Sequence, residues 1–279
     1  MACYKPISLK PSIKRPMGLI VPCGWCIGCQ LEKSRQWAIR CVHESQMHEN
    51  NCFVTLTYRD SELVYGGERA TLVPRHLQLF LKRLRKEYGN GVRFFACGEY
   101  GDRTLRPHYH ACLFNISFPD RKLWSIKRDN NLYTSGSLDK IWSHGHCIIG
   151  DVTFESAAYV ARYIVGKKLA SSQEYSEQRY ETEFLRMSRR PGIGKNWLIK
   201  YSSDVFPHDY CVIRKGQKTK PPKYYSSIYE LDNPDKMMSI KKRRINQAYE
   251  QRADNTLRRL KVKEVVKTAQ VKTLARSSN

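Results

Sequence analysis

The sequence has no long hydrophobic segment, and its first residues, MACYKPISLKPSIKRP, lack the apolar core of a signal peptide. A helix that crosses a bilayer needs about 20 mostly apolar residues, and a secretory signal needs an apolar stretch of roughly 7 to 15. We therefore expect a soluble, intracellular protein with no membrane partner. The sequence also lacks internal repeats and the pattern G-x-x-x-x-G-K-[ST], so no fused P-loop motor is predicted.

Acidic residues are few compared with basic ones. The 279 residues include 49 Lys and Arg against 26 Asp and Glu, which gives a formal net charge of +23. This excess is larger than solubility requires and suits a polyanionic partner, of which nucleic acid is the leading candidate. On charge alone, a basic surface without a specific ligand is the alternative.

Three of the ten cysteines are evenly spaced: Cys23, Cys26 and Cys29. In a reducing compartment, such a cluster indicates a metal rather than disulfides. A structural zinc ion normally has four ligands, and we expect Cys3 to be the fourth, with Cys41 and His43 as alternatives. Two other interpretations stay open, namely part of an iron–sulfur motif and buried cysteines without a metal.

The pattern of elements predicts an α+β fold, with a central, mainly antiparallel sheet flanked by helices. Strand chemistry occurs in CFVTLTYRD, VRFFACGEY, RPHYHACLF and HCIIGDVTF. The second and third of these runs are joined by the turn-like GDRTL and predict an antiparallel hairpin. Helices are predicted for residues 30–47, from Pro74 to Gly89, and for residues 155–169.

Three segments are expected along the chain: a Cys-rich N-terminal cap at 1–48, a core at 49–206 and a basic C-terminal extension at 207–279. The stretch from Lys241 to Asn279 contains twelve Lys and Arg against three acidic residues. This stretch predicts a basic helix or a disordered arm that contacts DNA phosphates regardless of base sequence. A solvated tail is the alternative.

Two histidines alternate in the run RPHYHACLF. Because successive strand side chains point to opposite faces, His108 and His110 lie on the same face. Two neutral imidazoles need a third ligand to hold a divalent cation, and Glu99 on the partner strand is the best-placed carboxylate. Such a face leaves open positions at which the cation polarises a phosphodiester. Two exposed strand histidines without a metal are the alternative.

Tyrosines repeat at helical spacing in YVARYIVGKK. Tyr159, Tyr163 and Lys167 follow at steps of four, so they lie along one stripe of the predicted helix. A nucleophilic phenol needs nearby positive charge, which Lys167, Lys168 or a metal ion would supply. Attack on phosphorus would give a phosphotyrosine ester and a free 3′ hydroxyl, and two tyrosines permit two strand transfers. A pair of packing tyrosines is the alternative.

The segments FVTLTY, GEYGDRTLRPHYHACLF and YVARYIVGKK, in that order, resemble the three motifs of rolling-circle replication initiators in the HUH endonuclease superfamily. With PCGWCIGC and SRRPGIGKNW, the sequence looks most like the initiators of gokushovirus-type microviruses, small phages with single-stranded DNA genomes. The resemblance covers roughly residues 20 to 200. It implies the HUH fold and an enzyme that nicks and rejoins single-stranded or origin DNA through a 5′-phosphotyrosine. Such an enzyme acts in the cytoplasm of the infected bacterial host.

Residue roles follow from this resemblance motif by motif. His108 and His110 match the metal histidines, and Glu99 takes the place of the acidic residue that completes their site. The family uses Mg²⁺ or Mn²⁺ there. Tyr159 and Tyr163 match a two-tyrosine motif, and the lysine one turn later matches the family's lysine.

DNA contacts are expected from residues beside these motifs. Thr55 and Thr57 lie in the first motif, whose strand supports the active site and the binding of single-stranded DNA. We expect Tyr58 to stack on a base and Lys168 to contact DNA. The PGIGKNW segment is interpreted as a loop near the DNA site. Because no phosphate loop is present, unwinding is expected from a host helicase and the host replication machinery.

Two other functions fit the same residues. A two-tyrosine transposase of the HUH type is one, since some such enzymes carry an N-terminal zinc-binding region. A nonenzymatic nucleic-acid-binding protein with a zinc module is the other, in which the motif residues are only structural. The sequence does not identify the nick site, because recognition of single strands depends on groove shape and stacking.

Overall fold

The structure is a computed structural model, and the chain forms two compact units. One unit comprises Met1–Gln36 with Ser203–Asn279, and the other comprises Trp37–Ser202. The Cys-rich segment is thus grouped with the C-terminal helices, which the sequence did not predict. The structure describes residues 3–12, 19–101, 103–127, 130–166, 180–213 and 216–276.

The second unit contains the large sheet. Its elements, beginning with the helix that leads into it, are α1 (Ile27–Ser45), β3 (Asn51–Thr57), α2 (Pro74–Tyr88), β4 (Arg93–Tyr100), β5 (Pro107–Phe114), β6 (Lys122–Lys127), β7 (Asn130–Thr134), α3 (Gly136–Trp142), β8 (Cys147–Gly150), α4 (Phe154–Gly166), β9 (Phe184–Met187) and α5 (Lys195–Val205).

The first unit combines two short hairpins with helices. Within the described residues, none of the helices of either unit is long and apolar enough to span a membrane. The elements of this unit are β1 (Ile7–Leu9), β2 (Leu19–Val21), β10 (Cys211–Val212), β11 (Lys218–Thr219), α6 (Lys223–Asp232), α7 (Pro234–Glu250) and α8 (Leu257–Arg276).

The sheet has seven strands in the order β6-β7-β8-β3-β5-β4-β9, and the pairings are antiparallel. The predicted α+β class with a mainly antiparallel sheet is therefore confirmed. The predicted hairpin is confirmed as β4 and β5, which pair from Arg93↔Phe114 to Tyr100↔Pro107. Strand β3 lies beside β5, with Thr55 opposite His110.

Helix boundaries follow the expected end signals. Helix α2 has Pro74 at its start, where a missing N–H costs nothing, and ends before Gly89, whose φ of 89° suits a residue without a Cβ. Helix α4 begins after Thr153, whose Oγ1 accepts a hydrogen bond from the N–H of Ser156 while Ser156 Oγ accepts one from the N–H of Thr153. These reciprocal bonds satisfy backbone donors at the first turn.

Helices cover both faces of the sheet. On one face, α2 and α3 bury Phe80 and Trp142 against strand residues such as Tyr109. On the other face, α1 and α4 pack with Phe95 and Cys112. Strand alternation therefore places Tyr109, and with it Ala111 and Leu113, in the first core, while the histidines between them belong to the second face.

The sequence did not predict β6, β7, β9 or α3. Strand β9 has only four residues, and β6 is exposed along most of its length, so neither gives a clear hydrophobic pattern. Helix α3 has seven residues but does carry a signal. Ser135 caps it by accepting a hydrogen bond from the N–H of Leu138, and Leu138, Ile141 and Trp142 fall on one buried face.

A buried carboxylate anchors the PGIGKNW segment. Glu44 is 1% exposed, pairs with Arg93 and accepts a hydrogen bond from the N–H of Gly194 at 2.6 Å. Arg93 also donates to the carbonyl of Pro191 at 2.7 Å. The segment is therefore fixed to α1 and β4. Its predicted nearness to DNA stays a prediction.

Candidate metal centre and tyrosine

The hairpin β4–β5 brings together the three residues of the predicted metal face. Glu99 lies opposite His108 in the register, and His110 lies two residues further along the same strand. One ligand atom from each of the three residues lies within 4.8 Å of the others. The shared face follows directly from the two-residue period of a strand.

Each histidine directs Nε2 towards the carboxylate. His108 Nε2 lies 2.8 Å and His110 Nε2 3.0 Å from Glu99 Oε1. The carbonyl of Arg106 lies 3.0 Å from His108 Nδ1, and a carbonyl only accepts, so Nδ1 carries a proton. Thr55 Oγ1 lies 2.9 Å from His110 Nδ1 and fixes that ring in the same way. In a neutral ring held like this, Nε2 carries the lone pair.

The centre contains buried polar atoms without partners. Within the described residues, Glu99 Oε2 and His110 Nε2 are buried and have no hydrogen bond. The short approach of His110 Nε2 to Glu99 is too poorly aligned to count as one. Buried polar atoms normally find a partner, and a cation would satisfy both of these atoms. The residues present therefore fit a divalent ion.

The protonation states also suit a cation. Burial raises the pKa of Glu99, but the hydrogen bond from His108 and the nearby His110 ring outweigh it, so the pKa lies below its usual value. Burial lowers the pKa of His110. At neutral pH these two residues are an ionised carboxylate and a neutral imidazole, the forms that bind metals.

Helix α4 brings Tyr159 to this centre. Its Oη donates a hydrogen bond to Glu99 Oε1 at 3.1 Å, and its ring meets the His110 ring edge-on at a centroid distance of 5.1 Å. Tyr163 lies on the same helix, but its side chain is outside the described part of the structure. Lys167 and Lys168 lie outside the described residues as well.

The residues predicted to contact DNA lie in different surroundings. Thr55 holds His110, whereas Thr57 Oγ1 donates to the carbonyl of His146 at 2.9 Å in an exposed position. Tyr58 is 3% exposed, and its hydroxyl bonds to Tyr109 Oη at 2.7 Å. Base stacking by Tyr58 does not fit this burial, because strand alternation turns its ring into the core.

Sequence reasoning missed a further residue of the centre. Phe53 stacks on the His110 ring, with centroids 5.4 Å apart and ring planes 15° apart. Thr55 was singled out only for DNA. The alternation of Phe53, Thr55 and Thr57 along one strand face was the available signal, once β3 was known to pair with β5.

The four predicted cysteines also come together. One sulfur each from Cys3, Cys23, Cys26 and Cys29 lies within 4.8 Å of the others. Three of the distances between sulfurs are 3.7, 3.9 and 3.9 Å. A zinc ion about 2.3 Å from each of four sulfurs sets neighbouring sulfurs about 3.8 Å apart. The chosen fourth residue, Cys3, is thus in place.

Backbone amides support the thiolate form in this cluster. The N–H groups of Tyr4, Cys23 and Cys26 each donate to a cysteine sulfur at 3.3 Å. Burial raises the pKa of Cys26, but backbone and thiol hydrogen bonds outweigh it and lower the pKa to about 7. The two alternative ligands lie in the other unit, Cys41 in the core and His43 stacked on Trp197.

Comparison with known proteins places the chain among phage proteins. A family model of replication-associated proteins of the ORF2 type matches residues 51–168. The chain is 34% identical over 259 residues to Replication-associated protein VP4 of Bdellovibrio phage phiMH2K, covering 85% of this chain and 80% of that protein. It is 36% identical over 225 residues to Replication-associated protein ORF2 of Spiroplasma virus 4, covering 77% and 69%.

A more distant relative agrees with these two. The chain is 30% identical over 230 residues to Replication-associated protein ORF4 of Chlamydia phage 1, covering 75% of this chain and 53% of that protein. No solved structure matches the chain significantly. The matched segment 51–168 includes the metal centre and Tyr159. The chain therefore belongs to the replication-associated proteins of bacteriophages, as a replication initiator of the microvirus type.

Proposed function

We propose that this initiator has the HUH endonuclease fold and nicks single-stranded phage origin DNA by metal-assisted attack of a tyrosine. The product is a 5′-phosphotyrosine intermediate that later rejoins the strand. The observation that carries this proposal is the hydrogen bond from Tyr159 Oη to Glu99, a residue of the candidate metal centre. The relatives' names, which speak of replication, favour this role over transposition.

The metal is proposed to be Mg²⁺ or Mn²⁺, held by Glu99, His108 and His110. When bound, it neutralises charge on the phosphodiester and leaves positions open for oxygen ligands. Two imidazoles and one carboxylate satisfy both of these ions only with further oxygens, which water and DNA supply. Thr55 and Phe53 keep the His110 ring in the required orientation.

The chemistry is a transesterification at phosphorus. Tyr159 Oη forms the new P–O bond and releases its proton to solvent. The bond from phosphorus to O3′ breaks, and the departing oxygen takes up a proton to become a 3′ hydroxyl. The reverse attack by a 3′ hydroxyl restores the strand and the free tyrosine, so no nucleotide cofactor is consumed.

Tyr163 follows Tyr159 after one helical turn and is proposed to carry out the second strand transfer. Lys167 and Lys168 are proposed to favour the phenolate and to contact DNA phosphates. Unwinding is assigned to a host helicase and the host replication machinery, in the cytoplasm of the infected bacterium. The four-cysteine cluster is proposed to hold a structural Zn²⁺.

Tyrosine variants test the proposal directly. Purified protein is incubated with Mn²⁺ and phage origin DNA labelled on either side of the nick, and the covalent adduct is measured on a denaturing gel. The label on the 5′ phosphate side should remain with the protein. Tyr159→Phe should lower first-round adduct formation by at least about a thousandfold, because Tyr159 contacts the metal centre.

Two comparisons make this result decisive. Tyr163→Phe should keep the first adduct and lose the second transfer, and Tyr133→Phe should behave like the natural protein. DNA binding by the double variant Tyr159→Phe, Tyr163→Phe should persist. An adduct formed by that double variant would show that the tyrosine assignment is wrong. Absence of an adduct from the natural protein would favour a nonenzymatic binder.

A further inference from the structure

The hairpin formed by β6 and β7 presents large apolar side chains to solvent. Strand β6 is an edge of the seven-stranded sheet and pairs with β7 alone among the described strands. Leu123, Trp124 and Ile126 are 56, 60 and 63% exposed. An edge strand with exposed apolar residues invites association, so its occupant needs an explanation.

Trp124 occupies an irregular position in this hairpin. Leu123 lies opposite Tyr133 and Ser125 lies opposite Leu132, so Trp124 has no partner of its own in the register. A residue inserted in this way forms a β-bulge, which interrupts the ladder and changes the direction of a side chain. The bulge therefore weakens β6 as a template for another strand and keeps the indole exposed.

The apolar side chains are surrounded by positive charge. Arg121, Lys122 and Lys127 are exposed, and none of them has an ion-pair partner among the described residues. Asp120, the nearest acidic residue before them, accepts hydrogen bonds from Ser135 and Ser137 instead. An exposed indole among unpaired cations fits a strand of DNA, whose bases stack and whose phosphates are negative.

The register places these lysines on the same sheet face as the metal centre. Tyr133 pairs with Ile149, which belongs to the opposite core, so Leu132 and Thr134 point to the metal-centre side. Lys122 lies opposite Thr134, and two-residue alternation puts Lys127 on that side as well. The helix-covered core on this side includes no residue of β6, β7 or β8.

The distance between the two places suits one continuous strand. Strand β6 is four positions from β5 in the sheet, which is roughly 19 Å at the usual spacing of about 4.8 Å. A second copy of the chain suits this surface less well. Pairing two β6 edges would bring the lysines and arginines of both copies together, in a protein that already carries a net charge of +23.

We propose that the β6–β7 hairpin is a second contact for single-stranded DNA, with Trp124 stacking on a base and Lys122 and Lys127 binding phosphates. This contact rests on the proposed nicking function and extends it. It holds the strand away from the reacting phosphate, so it contributes affinity and positioning rather than chemistry. Trp124 is accordingly a binding residue and not a catalytic one.

A length series of DNA tests the contact in the full chain. Binding of fluorescein-labelled oligo-dT of 6 to 30 nucleotides is measured by anisotropy. The natural protein should gain affinity once the oligonucleotide spans both places. Trp124→Ala should lower affinity by roughly tenfold for long oligonucleotides and leave the shortest ones unchanged. Trp124→Phe should retain most of the affinity, since its ring still stacks.

Two controls separate this contact from other effects. Trp25→Ala removes a tryptophan of similar exposure, 46%, elsewhere in the chain and should not produce the same length dependence. Adduct formation on a short cleavable oligonucleotide should be unaffected by Trp124→Ala, so a failed contact would leave the nicking proposal intact. Lys122→Gln with Lys127→Gln should reduce the salt slope of long-oligonucleotide binding by about 1.4.

Two results would overturn the proposal. One is equal affinity of Trp124→Ala and the natural protein at every length. The other is a change of oligomeric state in sedimentation by Trp124→Ala with unchanged DNA binding, which would identify the hairpin as an interface between copies of the chain.

Discussion

His110 is held from three sides, and this determines how its ring can act. Thr55 bonds to Nδ1, Phe53 stacks on one face and Tyr159 meets an edge. The one atom left for a ligand is Nε2, which is buried and unsatisfied among the described residues. Groups that orient a metal ligand affect metal affinity without touching the ion.

Thr55→Val should therefore weaken the metal centre. The change keeps the volume but removes the hydroxyl that fixes His110, so the apparent affinity for Mn²⁺ should fall about 10- to 100-fold. Manganese titration of adduct formation, with direct binding by electron paramagnetic resonance, measures this. Thr57→Val is the matched control, because Thr57 bonds to the carbonyl of His146. Equal effects of the two variants would contradict a positioning role for Thr55.

His43 should make the stability of the protein sensitive to acid. It is 2% exposed against Trp197, and burial lowers its pKa to about 3, compared with about 6.5 in an unfolded chain. Between these pH values the unfolded state binds the extra proton. The contribution of His43 is therefore fully present above pH 6.5 and is lost as the pH falls towards 3.

Denaturant unfolding from pH 7 to 4 tests this behaviour. His43→Gln should reduce the slope of unfolding free energy against pH by up to about 1.4 kcal/mol per pH unit in this window. His146→Gln, at an exposed position, should leave the slope unchanged. A slope in His43→Gln as steep as that of the natural protein would rule out His43 as an acid-sensitive group.

At the scale of elements, the four-cysteine cluster joins segments that could hardly fold alone. Strands β1 and β2 have three residues each, and three of their residues are exposed hydrophobics: Ile7, Leu19 and Ile20. So short a hairpin buries too little apolar surface to be stable in water. The sulfurs of Cys3 and Cys23, on either side of the hairpin, lie 3.7 Å apart.

Metal removal should accordingly loosen this hairpin. Native mass spectrometry should find one zinc per chain, and a zinc chelator should speed trypsin cleavage at Lys5 and Lys10, because bound metal and folding are coupled. Cys26→Ser should lower the zinc content severalfold. Cys211→Ser, a buried cysteine of the same unit outside the cluster, should keep it. Full zinc content in Cys26→Ser would argue against the site.

At the scale of the whole molecule, positive charge is unevenly divided. The unit of residues 1–36 and 203–279 contains 24 Lys and Arg against 9 Asp and Glu, a net charge of +15. The unit of residues 37–202, with the metal centre, contains 25 against 17, a net charge of +8. Most of the nonspecific attraction for DNA is therefore expected from the unit without the tyrosine.

Neutralising helix α8 should separate affinity from chemistry. Arg258, Lys261 and Lys272 are exposed on that helix. Their replacement by Gln should reduce the slope of log K against log salt by up to about 2 for single-stranded DNA. Adduct formation at saturating DNA should be unchanged, since the metal centre is untouched. An unchanged salt slope would indicate that α8 does not contact DNA.

The sequence by itself determined the parts of the site that depend on local geometry. The spacing of His108 and His110, with a turn leading back to Glu99, specifies one face of a hairpin, since strand alternation and hairpin pairing act over a few residues. The helix carrying Tyr159 was predictable for the same reason, because its periodic pattern and end signals are local. The spacing of Cys23, Cys26 and Cys29 is local as well.

Only the tertiary structure decided which distant groups meet. Tyr159 reaches Glu99 across 60 positions of sequence because Val160 and Ala161 pack α4 onto the sheet. Thr55 became the support of His110 through the pairing of β3 with β5, and Tyr58 was turned into the core by the same pairing. Such contacts depend on which strands become neighbours, and that depends on how the whole chain buries its apolar surface.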